Sequence, residues 1–178
     1  MDLIDFAKPK SVLELGSDRG VSTEVFLLKC ESVVAVDPWD WSRLSNYPET
    51  GTGLDLSGAE VRYNAFVARC GEYPNLTVVR DFGEDAMPKM ASQSFDLVYI
   101  DAVHIYQPFI DDVHASFRLV KDGGWIAGHD YFRPDNETNI IKAVNEIFGA
   151  PLQVFSDSSW IVRKPSSLPL TPAPSPRR

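Results

Sequence analysis

Cysteine is nearly missing from this chain. Its two residues, Cys30 and Cys70, stand far apart in 178 positions and form no Cys-x-x-Cys spacing. That excludes a disulfide framework and a zinc knuckle, and it fits a reducing cytosol. Positive charge is also short: 17 Lys and Arg against 25 Asp and Glu give a net charge of -8. Nucleic acids and anionic membranes need a basic surface to replace their counterions, so both are disfavoured as partners. No apolar run approaches the roughly 18 residues that cross a membrane, and "MDLIDFAKPK" lacks the charged-then-apolar pattern of a secretory signal. The expectation is a soluble, cytoplasmic protein. Histidine occurs only as His104, His114 and His129, too few for a hydrolase that grips metal through several imidazoles.

What is present is enough for one core. Hydrophobic residues make up 44% of the chain, and the length suits a single domain, read here as 1–164. Short apolar runs alternate with helical stretches, the pattern of β-α-β units and a parallel sheet. Strands are expected at 11–16, 32–37, 76–81, 95–102 and 124–130. Helices are expected at 20–30, 57–71, 83–91, 107–120 and 135–149. "LQVFSD" and "SSWIVRK" follow each other closely and predict an antiparallel hairpin. The fold class is therefore α/β, a Rossmann-like seven-stranded sheet, mostly parallel, with an antiparallel last strand and helices on both faces. Asp111 and Asp112 read as acids opening a helix. The segment 38–58 is long for a β-α connection and rich in Trp, Tyr, Gly and Pro, which makes it either an active-site loop or lid or a disordered insertion. The Pro/Ser-rich tail 165–178 is expected to be disordered.

The first strand runs into "ELGSDRGVST". Glycines at a strand-to-helix turn let a ligand approach the backbone, and the helix start near Gly20 offers unpaired N–H groups. A structural turn explains two glycines as well. Asp37 follows Gly16 by 21 residues, where nucleotide-binding α/β folds place an acid on the ribose. Dinucleotide sites carry Gly-x-Gly-x-x-Gly; here Asp18 holds the middle place and would repel a pyrophosphate. With no Tyr-x-x-x-Lys pair either, an NAD oxidoreductase is disfavoured.

"E-x-G-x-x-x-G", "VVAVDP" and the terminal hairpin together resemble the class I S-adenosylmethionine-dependent methyltransferases. The resemblance implies that Glu14, Gly16, Ser17 and Gly20 surround the methionine part of the cofactor and that Asp37 meets its ribose. It puts Phe82 and Gly83 of "RDFGEDA" at the adenine, although a plain core role fits Phe82 equally well. Trp39 lies either against adenine or within the loop's own packing.

Strand four ends in Asp101, with His104 three residues on; strand five ends in His129 and Asp130. In open α/β sheets ligands bind beyond the carboxyl ends of the strands, so these residues face one crevice. His129 and Asp130 follow Asp101 by 28 and 29 residues, and "IDAVHIY" with "GGWIAGHDY" resembles the branch of metal-dependent sugar and macrolide O-methyltransferases and cephalosporin-hydroxylase-like proteins. The resemblance spans about residues 11–150. It implies a divalent metal, Mg2+ or Mn2+, on Asp101, His129 and Asp130, with His104 as general base and Asp101 also serving catalysis. The branch usually has Asp or Glu at position 129. An imidazole there leaves three readings: metal ligand, substrate or proton-transfer contact, or a residue that only packs. His104 also has a structural reading, and His114 reads as a surface residue.

The expectation is thus methyl transfer to a hydroxyl of a small-molecule or glycan acceptor, plausibly of a sugar or glycosylated natural product. The alternative is a non-catalytic S-adenosylmethionine- or nucleotide-binding regulatory module. The sequence names neither the acceptor, the metal nor the oligomeric state. Only ten residues precede the first strand, so the 38–58 segment or the partner in a homodimer would have to cover the cofactor.

Overall fold

The computed structural model describes residues 2–40, 42–43, 58–132 and 139–166. Residues 44–57 of the 38–58 connection, Tyr47 among them, lie outside them, together with Met1, Trp41, 133–138 and 167–178 of the tail.

β1 (Ser11–Leu15), β2 (Ser32–Val36), β3 (Leu76–Val79), β4 (Phe95–Ile100) and β5 (Val120–Gly128) pair in parallel, in the order β3-β2-β1-β4-β5. β7 (Trp160–Arg163) runs antiparallel against β5, and the two-residue β6 (Gln153–Val154) closes the edge antiparallel to β7. β7 alone therefore runs against the others, as a tight hairpin after an upward β6 requires. β5 begins four residues earlier than its apolar run suggested, because Val120 pairs with Phe95 before a register shift lets Trp125 face Leu97.

Burial on both faces explains why β1 and β4 read as near-continuous apolar runs. Alternation sends Leu13 and Leu15 to one face and Val12 and Glu14 to the other. The first face packs α4 (Gly83–Ala86), α5 (Tyr106–Leu119) and α6 (Ile140–Phe148) through Phe109, Val113, Ala143 and Ile147. The second packs α2 (Val21–Lys29) and α3 (Ala59–Cys70) through Phe26 and Phe66. An unexpected helix, α1 (Asp2–Ala7), adds Leu3 and Ile4 to this second core. At six residues it is too short to show a helical period in the sequence. α5 starts at Tyr106, so Asp111 and Asp112 sit in its second turn and do not open it. His114 is half-buried and its Nε2 has no hydrogen-bond partner, so it is not a surface residue. Among the described residues no helix is long and apolar enough to cross a membrane.

Candidate active site

The carboxyl ends of β1, β2 and β4 meet at Gly16. Its N–H donates to Val36 and the Asp101 N–H to Leu15, at 2.9 and 2.8 Å. Gly16 has φ +85°, and a Cβ on it would lie 2.2 Å from the Asp101 carbonyl oxygen. Gly20, at φ +78°, has Cys70 Sγ 2.6 Å from where its Cβ would be. Both glycines are thus required by protein neighbours: the first by the β4 end, the second by the packing of α3 against α2.

Glu14 points from β1 into the start of α2 and is fully buried. Its carboxylate accepts hydrogen bonds from the hydroxyls of Ser17 (2.8 Å), Ser22 and Thr23. Burial pushes its pKa up to about 7, against the pull of these three donors. Asp37 accepts the backbone N–H groups of Ser17 and Asp18 on Oδ2, at 3.0 and 2.9 Å, and that of Trp39 on Oδ1 at 2.7 Å. Its pKa is raised by burial, with those N–H donors opposing. Ser17 itself is buried. Glu14 and Asp37 therefore lock the turn between β1 and α2 into shape. Ser22 and Thr23 complete this lock, and their hydroxyls in the first turn of α2, opposite a buried acid, are the signal for it.

Trp39 is 1% exposed and packs on Tyr63 and Phe66, with ring centroids 4.9 and 4.8 Å away. Its indole Nε1–H donates to the Asp18 carbonyl at 2.7 Å. Of the two roles open for it, the structure gives the loop's own packing. Asp18 pairs with Arg62 at 2.6 Å. Phe82 precedes α4 and carries the Arg43 guanidinium 3.9 Å above its ring; Arg43 also pairs with Asp85 at 2.7 Å. Gly83 has an ordinary negative φ and room for a Cβ, the nearest atom being Asp112 Oδ1 at 3.4 Å.

Across the crevice, Asp101, His104 and Asp130 each turn a ligand atom to within 4.8 Å of the others. His104 Nε2 lies 2.6 Å from Asp130 Oδ2 and 3.9 Å from Asp101 Oδ1. The short contact is an ion pair when the ring is protonated, and it holds Nε2 buried against the Asp130 carboxylate. His129 stands outside this trio: its Nδ1 meets the other oxygen of Asp130, Oδ1, at 3.0 Å. Asp130 is thus bracketed by two imidazoles at 2% exposure, on a backbone at φ +61°, a conformation uncommon outside glycine. Burial would raise its pKa, but His104 and His129 outweigh burial and hold it far below the usual carboxylate range. Burial would lower the pKa of His104, yet the carboxylates of Asp101 and Asp130 push it up to about 9. His129 is raised chiefly by its bond to Asp130, and Asp101 is raised by burial.

A parallel sheet in this order with a reversed seventh strand, a glycine turn at β1 and an acid after β2 define the class I S-adenosylmethionine-dependent methyltransferase fold. The chain belongs to the family described as "Methyltransferase domain", whose model matches residues 13–131. No curated protein matches it. Solved structures share its fold at low identity. Cofactor-bound Rv0187 from MTB superposes with TM-score 0.61 at 19% identity, covering 91% of this chain and 76% of that one. The N-methyltransferase NodS from Bradyrhizobium japonicum WM9, in complex with S-adenosyl-L-homocysteine, gives 0.59 at 11%, covering 92% and 82%. Phosphoethanolamine N-methyltransferase 1 of Haemonchus contortus, with S-adenosylhomocysteine, gives 0.53 at 16% over 71% of this chain, which spans only 23% of that enzyme. Two of these three neighbours hold S-adenosylhomocysteine, the product form of the methyl donor.

Proposed function

We propose that the protein moves the methyl group of S-adenosylmethionine to a hydroxyl of a small-molecule or glycan acceptor, at a site completed by a divalent cation. The observation that carries this reading is the convergence of Asp101, His104 and Asp130. Two carboxylates and one imidazole whose Nε2 lies 2.6 Å from one carboxylate and 3.9 Å from the other suit a cation such as Mn2+ or Mg2+. When bound, the cation would orient the acceptor hydroxyl and lower its pKa. This assigns His104 to the ligand set and leaves His129 as the general base. Its Nδ1 is anchored on Asp130, so its Nε2 points away from that carboxylate and can take the hydroxyl proton, the orienting arrangement seen wherever a carboxylate holds a catalytic imidazole.

The cofactor's methionine part would lie along the turn of Gly16, Ser17 and Gly20, held in shape by Glu14. Three of the roughly four lone-pair directions of Asp37 are used by backbone N–H groups, which leaves one for a ribose hydroxyl. Phe82 and Gly83 would border the adenine. The sulfonium already activates the methyl, so the residues act by positioning and proton removal, without a covalent enzyme intermediate.

Labelled S-adenosylmethionine should transfer its methyl to members of a hydroxyl panel and not to an amine panel. Chelation should stop transfer and Mn2+ restore it, whereas Asp101→Asn and Asp130→Asn should stay inactive with metal added. Full activity after chelation removes the metal; transfer only to amines, as two of the structural neighbours perform, removes the hydroxyl acceptor. Tight S-adenosylhomocysteine binding without transfer to any acceptor would favour the regulatory module.

A further inference from the structure

α6 does more than cover the sheet. Asn139 stands at its N-cap position, where an Asn side chain ordinarily accepts an N–H of its own helix. It makes no such cap; its Nδ2 instead donates to the carbonyl of His104 at 2.9 Å. One turn on, Lys142 lies 4.5 Å over the Tyr106 ring, and the Glu146 carboxylate accepts the Tyr106 hydroxyl. Asn145 Oδ1 accepts the Tyr131 hydroxyl at 2.8 Å. Positions 139, 142, 145 and 146 recur at the helical period and share one face. On the helix's other side Ile140, Ala143, Val144 and Ile147 are buried in the core. A single rigid element thus grips the segment that carries His104 and the residue that follows Asp130.

We propose that α6 is a strut fixing the separation of His104 and Asp130, with Asn139 and Asn145 as positioning residues for the acid–imidazole cluster. The inference rests on the site assigned above. Helices hold distances better than loops do, and ligand or catalytic groups must sit within about 0.5 Å of their working geometry. Neither Asn touches the cluster's side chains; each acts through a backbone carbonyl or a neighbouring phenol.

Two conservative variants of the full-length chain test this. Asn139→Asp keeps the shape but replaces the donor, and Tyr131→Phe removes one oxygen from a packed ring. In chain labelled with 15N-histidine, without metal and at fixed pH, both should shift the His104 imidazole resonances. Each should weaken Mn2+ binding and lower kcat by about fivefold, the worth of one neutral hydrogen bond, while leaving S-adenosylhomocysteine affinity unchanged. Asn145→Leu should reproduce Tyr131→Phe. Unmoved His104 resonances with wild-type Mn2+ affinity, or a loss confined to melting temperature, would overturn the strut. A wild type that binds no Mn2+ and methylates no hydroxyl ends the functional reading instead, and the His104 resonances then decide the strut by themselves.

Discussion

Replacing Gly16 by alanine should damage both halves of the crevice at once. The residue is held at φ +85° while its backbone lies against the end of β4, so that an added methyl would sit 2.2 Å from the Asp101 carbonyl oxygen and 2.7 Å from Ala102 Cα. Two costs follow. A non-glycine residue in the left-handed region costs roughly 1–2 kcal/mol, and forcing a methyl into packed backbone costs about 1–3 kcal/mol. The obstructing atoms are backbone, tied by the Asp101 N–H to Leu15, so no rotamer change relieves them. Gly16→Ala should therefore lose about 2–5 kcal/mol, a drop in Tm of about 4–20 °C for a domain of this size. Urea denaturation followed by tryptophan fluorescence would measure the loss, and titration with S-adenosylhomocysteine would show weakened binding. Gly20→Ala is the informative contrast. Its nearest obstruction is a side-chain atom, Cys70 Sγ at 2.6 Å, so Cys70→Ala should recover the steric part of the loss and leave only the backbone part. A Gly16→Ala protein within about 0.5 kcal/mol of wild type, with unchanged cofactor affinity, would refute the close approach of β1 and β4.

Other substitutions and conditions test separate links. Trp39→Ala should destabilise by about 3–5 kcal/mol, as expected for a large buried aromatic; a stable variant that only loses cofactor would restore the adenine-contact role. In metal-free protein His104, raised to about 9 by its carboxylates, stabilises fully below the unfolded value near 6.5 and ceases to do so as pH rises through about 9. Asp130, depressed by the same partners, stabilises above the unfolded value near 3.9 and loses this as pH falls through its lower folded value. These are two views of one interaction, so denaturation curves of His104→Gln should lose the alkaline decline and part of the acid one together. Burial pushes the Cys30 and Cys70 thiols up to about 11, so native protein should react with thiol reagents at neutral pH far more slowly than unfolded protein; equal rates would contradict their burial.

Much of the architecture could be read from residue order because burial on two faces leaves a strong imprint. "SVLELG" and "FDLVYIDA" are near-continuous apolar runs, as a doubly covered strand tends to be, and the glycine turn and Asp37 mark the carboxyl ends of β1 and β2. What escaped was short or non-local. α1 has too few residues for a period, β5 gained its first residues from pairing with Phe95, and Asp112 took its place from where α5 starts.

By itself the sequence determined an α/β domain with a mostly parallel sheet and put acids and imidazoles at the ends of β4 and β5, since strand periodicity and sequence spacing are local properties; the methyltransferase fold entered through the resemblance of its motifs. Only the tertiary structure decided which of them touch. The turn after β4 brings the His104 ring onto Asp130 at 2.6 Å, and the left-handed backbone at Asp130 turns its second oxygen back to His129. Only the tertiary structure, likewise, put Trp39 in the core and directed Asn139 to His104. These are contacts between residues distant in sequence or set by a single backbone torsion, and no spacing of residue types encodes them.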